Sequence, residues 1–251
     1  MNFFYGIKSK LLSSYLTIPK FKNNSEKDSS YKLFSSIPEN NYWRYDLVNC
    51  ISNEDFYFVE EERISNKKIF FLAKENEVSR EGKRLEKLNS YTESTPAFRA
   101  NLKIKNQEGG FSSYQSEYPF SMVTKKGSII SSLNSLTNID ADINQVFIKN
   151  IYEYPVFRSF MLYFVDIEKN KVVFKKDIKT NTTNIINIRK EFIKSDIFLF
   201  TKGYIGIPMF CSIKNSHISF EHTHPPHEYI LSKDKFIKVN ELKKRINDII
   251  S

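Results

Sequence analysis

Glycine is scarce in this chain, with 7 among 251 residues. Neither G-x-x-x-x-G-K-[ST] nor G-x-G-x-x-G occurs, so a loop cradling nucleotide phosphates is not expected. Cysteine is scarcer still. Cys50 and Cys211 stand far apart without a C-x-x-C pair, which excludes a disulfide scaffold. Cys211 lies in the apolar run 208–213 and reads as a buried free thiol. That context disfavours pairing it with a histidine as nucleophile and base. No apolar run approaches the ~20 residues of a membrane-spanning helix. Alanine occurs only at positions 73, 97, 100 and 141.

Apolar residues make up 40% and charged residues 27%. That is enough for a sizeable core and too apolar for wholesale disorder. The net charge is +9, but lysine far outnumbers arginine, and Asn, Ile, Ser and Phe are abundant. A coding sequence rich in A and T produces this pattern without a nucleic-acid partner. The basic residues are also interleaved with acids rather than gathered on one stripe, so nucleic-acid binding is not expected.

Residues 1–24 hold Lys8, Lys10, Lys20 and Lys22 and no acid, while Phe4, Ile7, Leu11 and Tyr15 recur at helical spacing. This predicts a basic amphipathic helix over residues 1–22. It either packs on the main domain or lies on an anionic membrane surface. Residues 23–31 are polar and read as a linker. The expected organisation is therefore a basic segment and linker over 1–31 and a β-sandwich domain with a C-terminal helix over 32–251. Without a secretory signal pattern in residues 1–22, a reducing, cytoplasmic setting is expected.

From residue 41 onward, short runs rich in aromatic and β-branched residues follow one another: 42–48, 55–59, 68–73, 97–105, 120–124, 128–133, 145–149, 160–167, 171–175, 183–188, 197–200, 207–213 and 217–222. Such density predicts a mainly β fold, an antiparallel β-sandwich or jelly-roll-like core. In 97–105, Phe98, Ala100, Leu102 and Ile104 alternate with Arg99, Asn101, Lys103 and Lys105, the pattern of a half-buried strand. Gly109-Gly110 supplies a turn after it. Residues 74–89 read as a loop with a short helix toward Leu88. Residues 240–251 predict a helix capped by Asn240, with Val239, Leu242, Ile246 and Ile249 as its apolar stripe.

All four histidines lie between positions 217 and 227. On a strand, Ile218, Phe220, His222 and His224 share one face, so the apolar face runs on into two imidazoles. Pro225-Pro226 then turns the chain, bringing His227 or Glu228 back as a third ligand. Zinc suits such a set with one open position, and iron or manganese suits two histidines and a carboxylate. Glu221 is the candidate general base or orienting group. The spacing of His222, His224 and Glu228 resembles the first half of the cupin metal motif, with Ser216 where that motif carries glycine. The resemblance implies only that a strand can present this ligand set. The competing readings are a structural corner whose imidazoles bond the backbone and Glu221, and a metal-free site for ligand binding or acid–base catalysis.

A second candidate is the stretch 109–120, dense in rings, hydroxyls, an amide and a carboxylate. Tyr114, Gln115 and Glu117, joined by Arg99 and Asn101 from the preceding strand, suit a carbohydrate or other small polar ligand. The alternative is a hairpin whose rings fill the core. Two functions remain open. One is a metal-dependent enzyme acting on a sugar or small polar substrate. The other is a noncatalytic module binding a polysaccharide or protein.

Overall fold

The computed structural model describes residues 2–20, 31–74, 78, 83–89, 99–222 and 235–251. The first half holds β1 (Asn2–Phe3), β2 (Leu12–Pro19), β3 (Tyr31–Glu39), β4 (Tyr42–Leu47), β5 (Ile51–Ser52), β6 (Phe56–Val59), β7 (Ile69–Lys74) and β8 (Arg84–Leu85). It continues with β9 (Asn101–Asn106), β10 (Phe111–Gln115) and β11 (Tyr118–Pro119). The second half holds β12 (Ile130–Ser132), β13 (Ile143–Lys149), β14 (Ser159–Asp166) and β15 (Lys171–Lys179). After these come β16 (Thr183–Asn187), β17 (Ile197–Thr201), β18 (Ile207–Lys214), β19 (His217–His222) and the helix Lys235–Ile250. The fold is mainly β, with antiparallel sheets in a sandwich-like arrangement and a C-terminal helix, as the sequence predicts. No helix among the described residues is long and apolar enough to cross a membrane.

Four sheets carry the architecture, ordered β10-β9-β2-β6-β5, β7-β3-β4-β8, β16-β13-β18-β19 and β12-β17-β14-β15. The strands β13 and β18 explain their stacking. Both are buried along almost their whole length, β18 as a nearly continuous apolar run and β13 with Asn144, Gln145 and Lys149 as buried polar members. One face of their sheet places Phe147, Met209, Cys211, Ile213 and Phe220 in a core shared with the two N-terminal sheets. The other face places Val146, Ile148 and Phe210 against Leu162, Phe164 and Leu199 of the β12-β17-β14-β15 sheet. A small third core joins Val165 and Phe200 to Ile246 of the C-terminal helix.

With so little glycine, asparagine supplies most of the left-handed turn positions. Asn40 (φ 39°) and Asn41 (φ 73°) connect β3 to β4, and Asn215 (φ 47°) and Ser216 (φ 65°) connect β18 to β19. Two successive positive-φ residues match the right-handed twist of the flanking strands, and Asn tolerates that region best after Gly.

Four expectations are corrected. Leu12–Pro19 is a strand, not part of a helix. Its alternation hides Leu12, Leu16 and Ile18 in the core while Tyr15 faces outward, and β2 sits between β6 and β9. Of the residues at helical spacing, Phe4 and Ile7 are core and Leu11 packs against it before the strand begins, while Tyr15 faces outward. Phe120–Val123 is one helical turn rather than a strand. Arg84–Leu85 is a short strand paired with Trp43 and Arg44, where a helix toward Leu88 was expected. Asn240 lies inside the C-terminal helix rather than capping it. Of the expected linker at 23–31, residues 23–30 lie outside the described residues and Tyr31 opens β3.

Candidate functional site: the outer face of the five-stranded sheet

The alternation of β9, Asn-Leu-Lys-Ile-Lys-Asn, turns Leu102 and Ile104 into the core and Asn101, Lys103 and Lys105 outward. Register then sets their neighbours. Tyr15 lies beside Lys103, which lies beside Ser113; Thr17, Asn101 and Gln115 form the next row; Ser13, Lys105 and Phe111 form the third. Residues paired across an antiparallel sheet share a face.

The turn into β10 is held in place. Gly110 has φ +70°, and a Cβ there would lie 2.5 Å from the Ser216 carbonyl oxygen. The Asn106 amide donates to that same carbonyl at 3.1 Å. The β9–β10 turn is thereby pinned against the β18–β19 turn, which fixes the start of β10 and Phe111 with it.

Phe111 is 65% exposed and Tyr15 37% exposed, although both stand on strands whose other faces are core. Between them runs an open groove of about 510 Å³ lined by Tyr15, Lys103, Lys105, Gly110 and Phe111. The Lys103 ammonium sits 4.7 Å from the Phe111 ring centre. The Arg99 guanidinium donates to the Gln115 side-chain carbonyl. Among the described residues no carboxylate lies within ion-pairing distance of Arg99, Lys103 or Lys105.

The structure therefore gathers Arg99, Asn101 and Gln115 on this face and turns Tyr114 away from it. Tyr114 packs edge-on against Phe220, ring centres 5.7 Å apart. Burial, aided by the nearby Glu221 charge, pushes its phenol up. The half-buried Glu117 accepts the Ala100 N–H at 3.3 Å. Burial raises its carboxyl above the usual range against the opposing pull of that N–H and of Arg99.

Sequence reasoning placed Lys103 and Lys105 on the polar face without assigning them a role, and missed Tyr15 and Phe111. The 97–105 alternation was the available signal for the lysines. Tyr15 was hidden by the helical reading of its segment.

Of the histidine candidates, His222 ends β19 opposite Met209. Ile218 and Phe220 face the first core, and Glu221 is exposed on the other side. His224, His227 and Glu228 lie outside the described residues. Among the described residues no three His, Cys, Asp or Glu side chains are grouped to hold a metal ion. Cys211 is fully buried and its thiol is pushed up to about 12 by that burial, which fits the inert thiol expected from its apolar run.

One buried group went unnoticed in the sequence. Lys149 is fully buried. Its ammonium donates to the Asn66 carbonyl at 2.9 Å and lies 5.7 Å from the Tyr5 ring centre. Desolvation alone lowers it to about 7. The Asn66 carbonyl also accepts the Thr183 N–H at 3.0 Å, and the Asn66 side chain clasps the backbone of Lys8. The group thus fastens the N-terminal segment to the central sheet.

No family model, no curated protein and no solved structure matches this chain.

Proposed function

We propose that the chain is a noncatalytic β-sandwich module that binds a polysaccharide on the outer face of β2, β9 and β10. The observation that carries this reading is a 65% exposed Phe111 beside an exposed Tyr15 on a sheet face that also presents Asn101, Gln115 and Arg99. Exposed rings on a sheet that already has a core face gain nothing for folding. A sugar ring lays its C–H face on such rings, and its hydroxyls bond amides and a guanidinium. Shallow, open geometry fits an extended polymer passing over the face better than a small substrate enclosed for chemistry.

Calorimetric titration with a panel of oligosaccharides tests this. Phe111→Ala and Tyr15→Ala are each expected to weaken binding by about tenfold with the melting temperature unchanged. Binding of no saccharide, or binding indifferent to both substitutions, rejects the reading.

The clustering of every histidine between 217 and 227 favours one second reading. In it, His222 and His224, with His227 or Glu228, hold zinc, iron or manganese, and Glu221 acts as base toward a small polar substrate.

A further inference from the structure

We infer that the polymer recognised by this face is acidic, a polysaccharide bearing carboxylate or sulfate groups. This rests on the polysaccharide reading and adds the charge of the ligand.

The outward positions of β2, β9 and β10 include two lysines and no Asp or Glu. Lys103 and Lys105, two residues apart on one strand, stand roughly 6.6 Å from each other along it. Arg99 precedes the strand in the same parity and is tied to the Gln115 amide. Glu117, which feels the Arg99 charge, accepts the Ala100 N–H.

Elsewhere among the described residues, Arg44, Lys169 and Arg189 pair with carboxylates. Arg44 pairs with Glu39 at 2.8 Å and also meets Asp46, and Arg189 pairs with Glu191 at 2.8 Å. On this face Lys103 lies by a ring and Arg99 bonds an amide while also acting on the Glu117 charge, and among the described residues neither lysine meets a carboxylate. A groove lined by rings and by two lysines is complementary to a chain with apolar ring faces and regularly spaced anions.

A single-stranded nucleic acid also carries anions and flat faces. Its bases are held by rings in succession, whereas Tyr15 and Phe111 are separated by the whole of β9, with lysines rather than a third ring between them. Asn101, Ser113 and Gln115 beside them suit hydroxyls.

The full chain is titrated at low salt with polygalacturonate, heparin, a neutral dextran and single-stranded oligothymidine. The expected result is binding of polygalacturonate or heparin at least about tenfold tighter than dextran, weakening with salt. The double variant Lys103→Glu/Lys105→Glu loses about tenfold or more. The matched reversal Lys171→Glu/Lys175→Glu, at exposed positions of the remote strand β15, leaves binding unchanged. Should the first variant melt early, Lys103→Gln/Lys105→Gln replaces it.

Equal binding of dextran and the acidic polymers overturns the inference and leaves the polysaccharide reading standing. Equal loss in both double variants overturns the inference too, because net charge alone is then being read. Preference for oligothymidine over every polysaccharide, or binding of none of the four, overturns both.

Discussion

Of the lysines that lie over aromatic rings in this protein, Lys103 and Lys149 could hardly differ more. Lys103 stands above Phe111 at 4.7 Å on an exposed sheet face, and Lys149 stands by Tyr5 at 5.7 Å with no exposure at all. In water the first pair is nearly free of cost, and the ammonium keeps its hydration and its availability to an anion. In the core the same ammonium has one carbonyl and one ring in place of a hydration shell, and its charged form is penalised until its pKa falls to about 7. The pairing therefore carries no fixed energy. Its surroundings decide whether it serves recognition or acts as a costly fastening between layers.

Strand β2 contributes to both kinds of surroundings and offers the largest test. Leu16 is 1% exposed and Tyr15 is its outward neighbour. Leu16→Ala is expected to cost about 2–5 kcal/mol of folding stability, the range for truncating a buried leucine. Tyr15→Ala is expected to stay within about 0.5 kcal/mol. Urea denaturation of the two variants measures both. Equal losses would mean that Tyr15 belongs to the core and that the face is no binding surface.

The next test substitutes the two lysines themselves. Lys149 has a folded-state pKa of about 7, below the ordinary lysine value of 10.5. The unfolded chain therefore binds more protons than the folded one between those limits, and stability gained from this group rises with pH through that window. Its penalty is complete below about 7 and gone above 10.5. Between pH 7 and 9.5 the wild type should gain about 3 kcal/mol relative to Lys149→Met. Lys103→Met should follow the wild-type profile. Parallel profiles for wild type and Lys149→Met would show that water reaches Lys149.

The histidine segment offers a smaller and separate test. A metal that binds only the folded protein should raise the wild-type melting temperature, by the equivalent of about 2.7 kcal/mol at a hundredfold excess over Kd. His222→Ala should abolish the rise, and the rise should shrink below about pH 6.5 as the imidazoles protonate. Melting with and without Zn²⁺, Mn²⁺ or Fe²⁺ reads this. No rise in the wild type removes the metal-dependent alternative. A loss in His222→Ala that is equal with and without metal marks a structural corner.

Much of the strand content was legible because it is local. The alternation in 97–105 and the strand-like runs at 145–149 and 207–213 each report on their own conformation. The segment 1–22 misled because Leu11, Tyr15, Leu12 and Leu16 satisfy a helical period and a strand period at once. Only pairing with β6 and β9 separates them. The candidate ligand face was half legible for a related reason. Asn101, Gln115 and Arg99 follow from two neighbouring strands, but Tyr15 comes from a strand more than eighty residues earlier.

By itself the sequence determined the fold class, the polar side of β9, the inertness of Cys211 and the C-terminal helix, since each depends on periodicity or composition within a dozen residues. Tertiary structure alone decided that β13 and β18 are buried on both faces, that Lys149 is fully buried, and that Phe111 and Tyr15 share an open face with lysines that meet no carboxylate among the described residues. Those outcomes depend on which sheet packs on which. That choice follows from apolar area summed over strands far apart in the chain, and no local pattern encodes it.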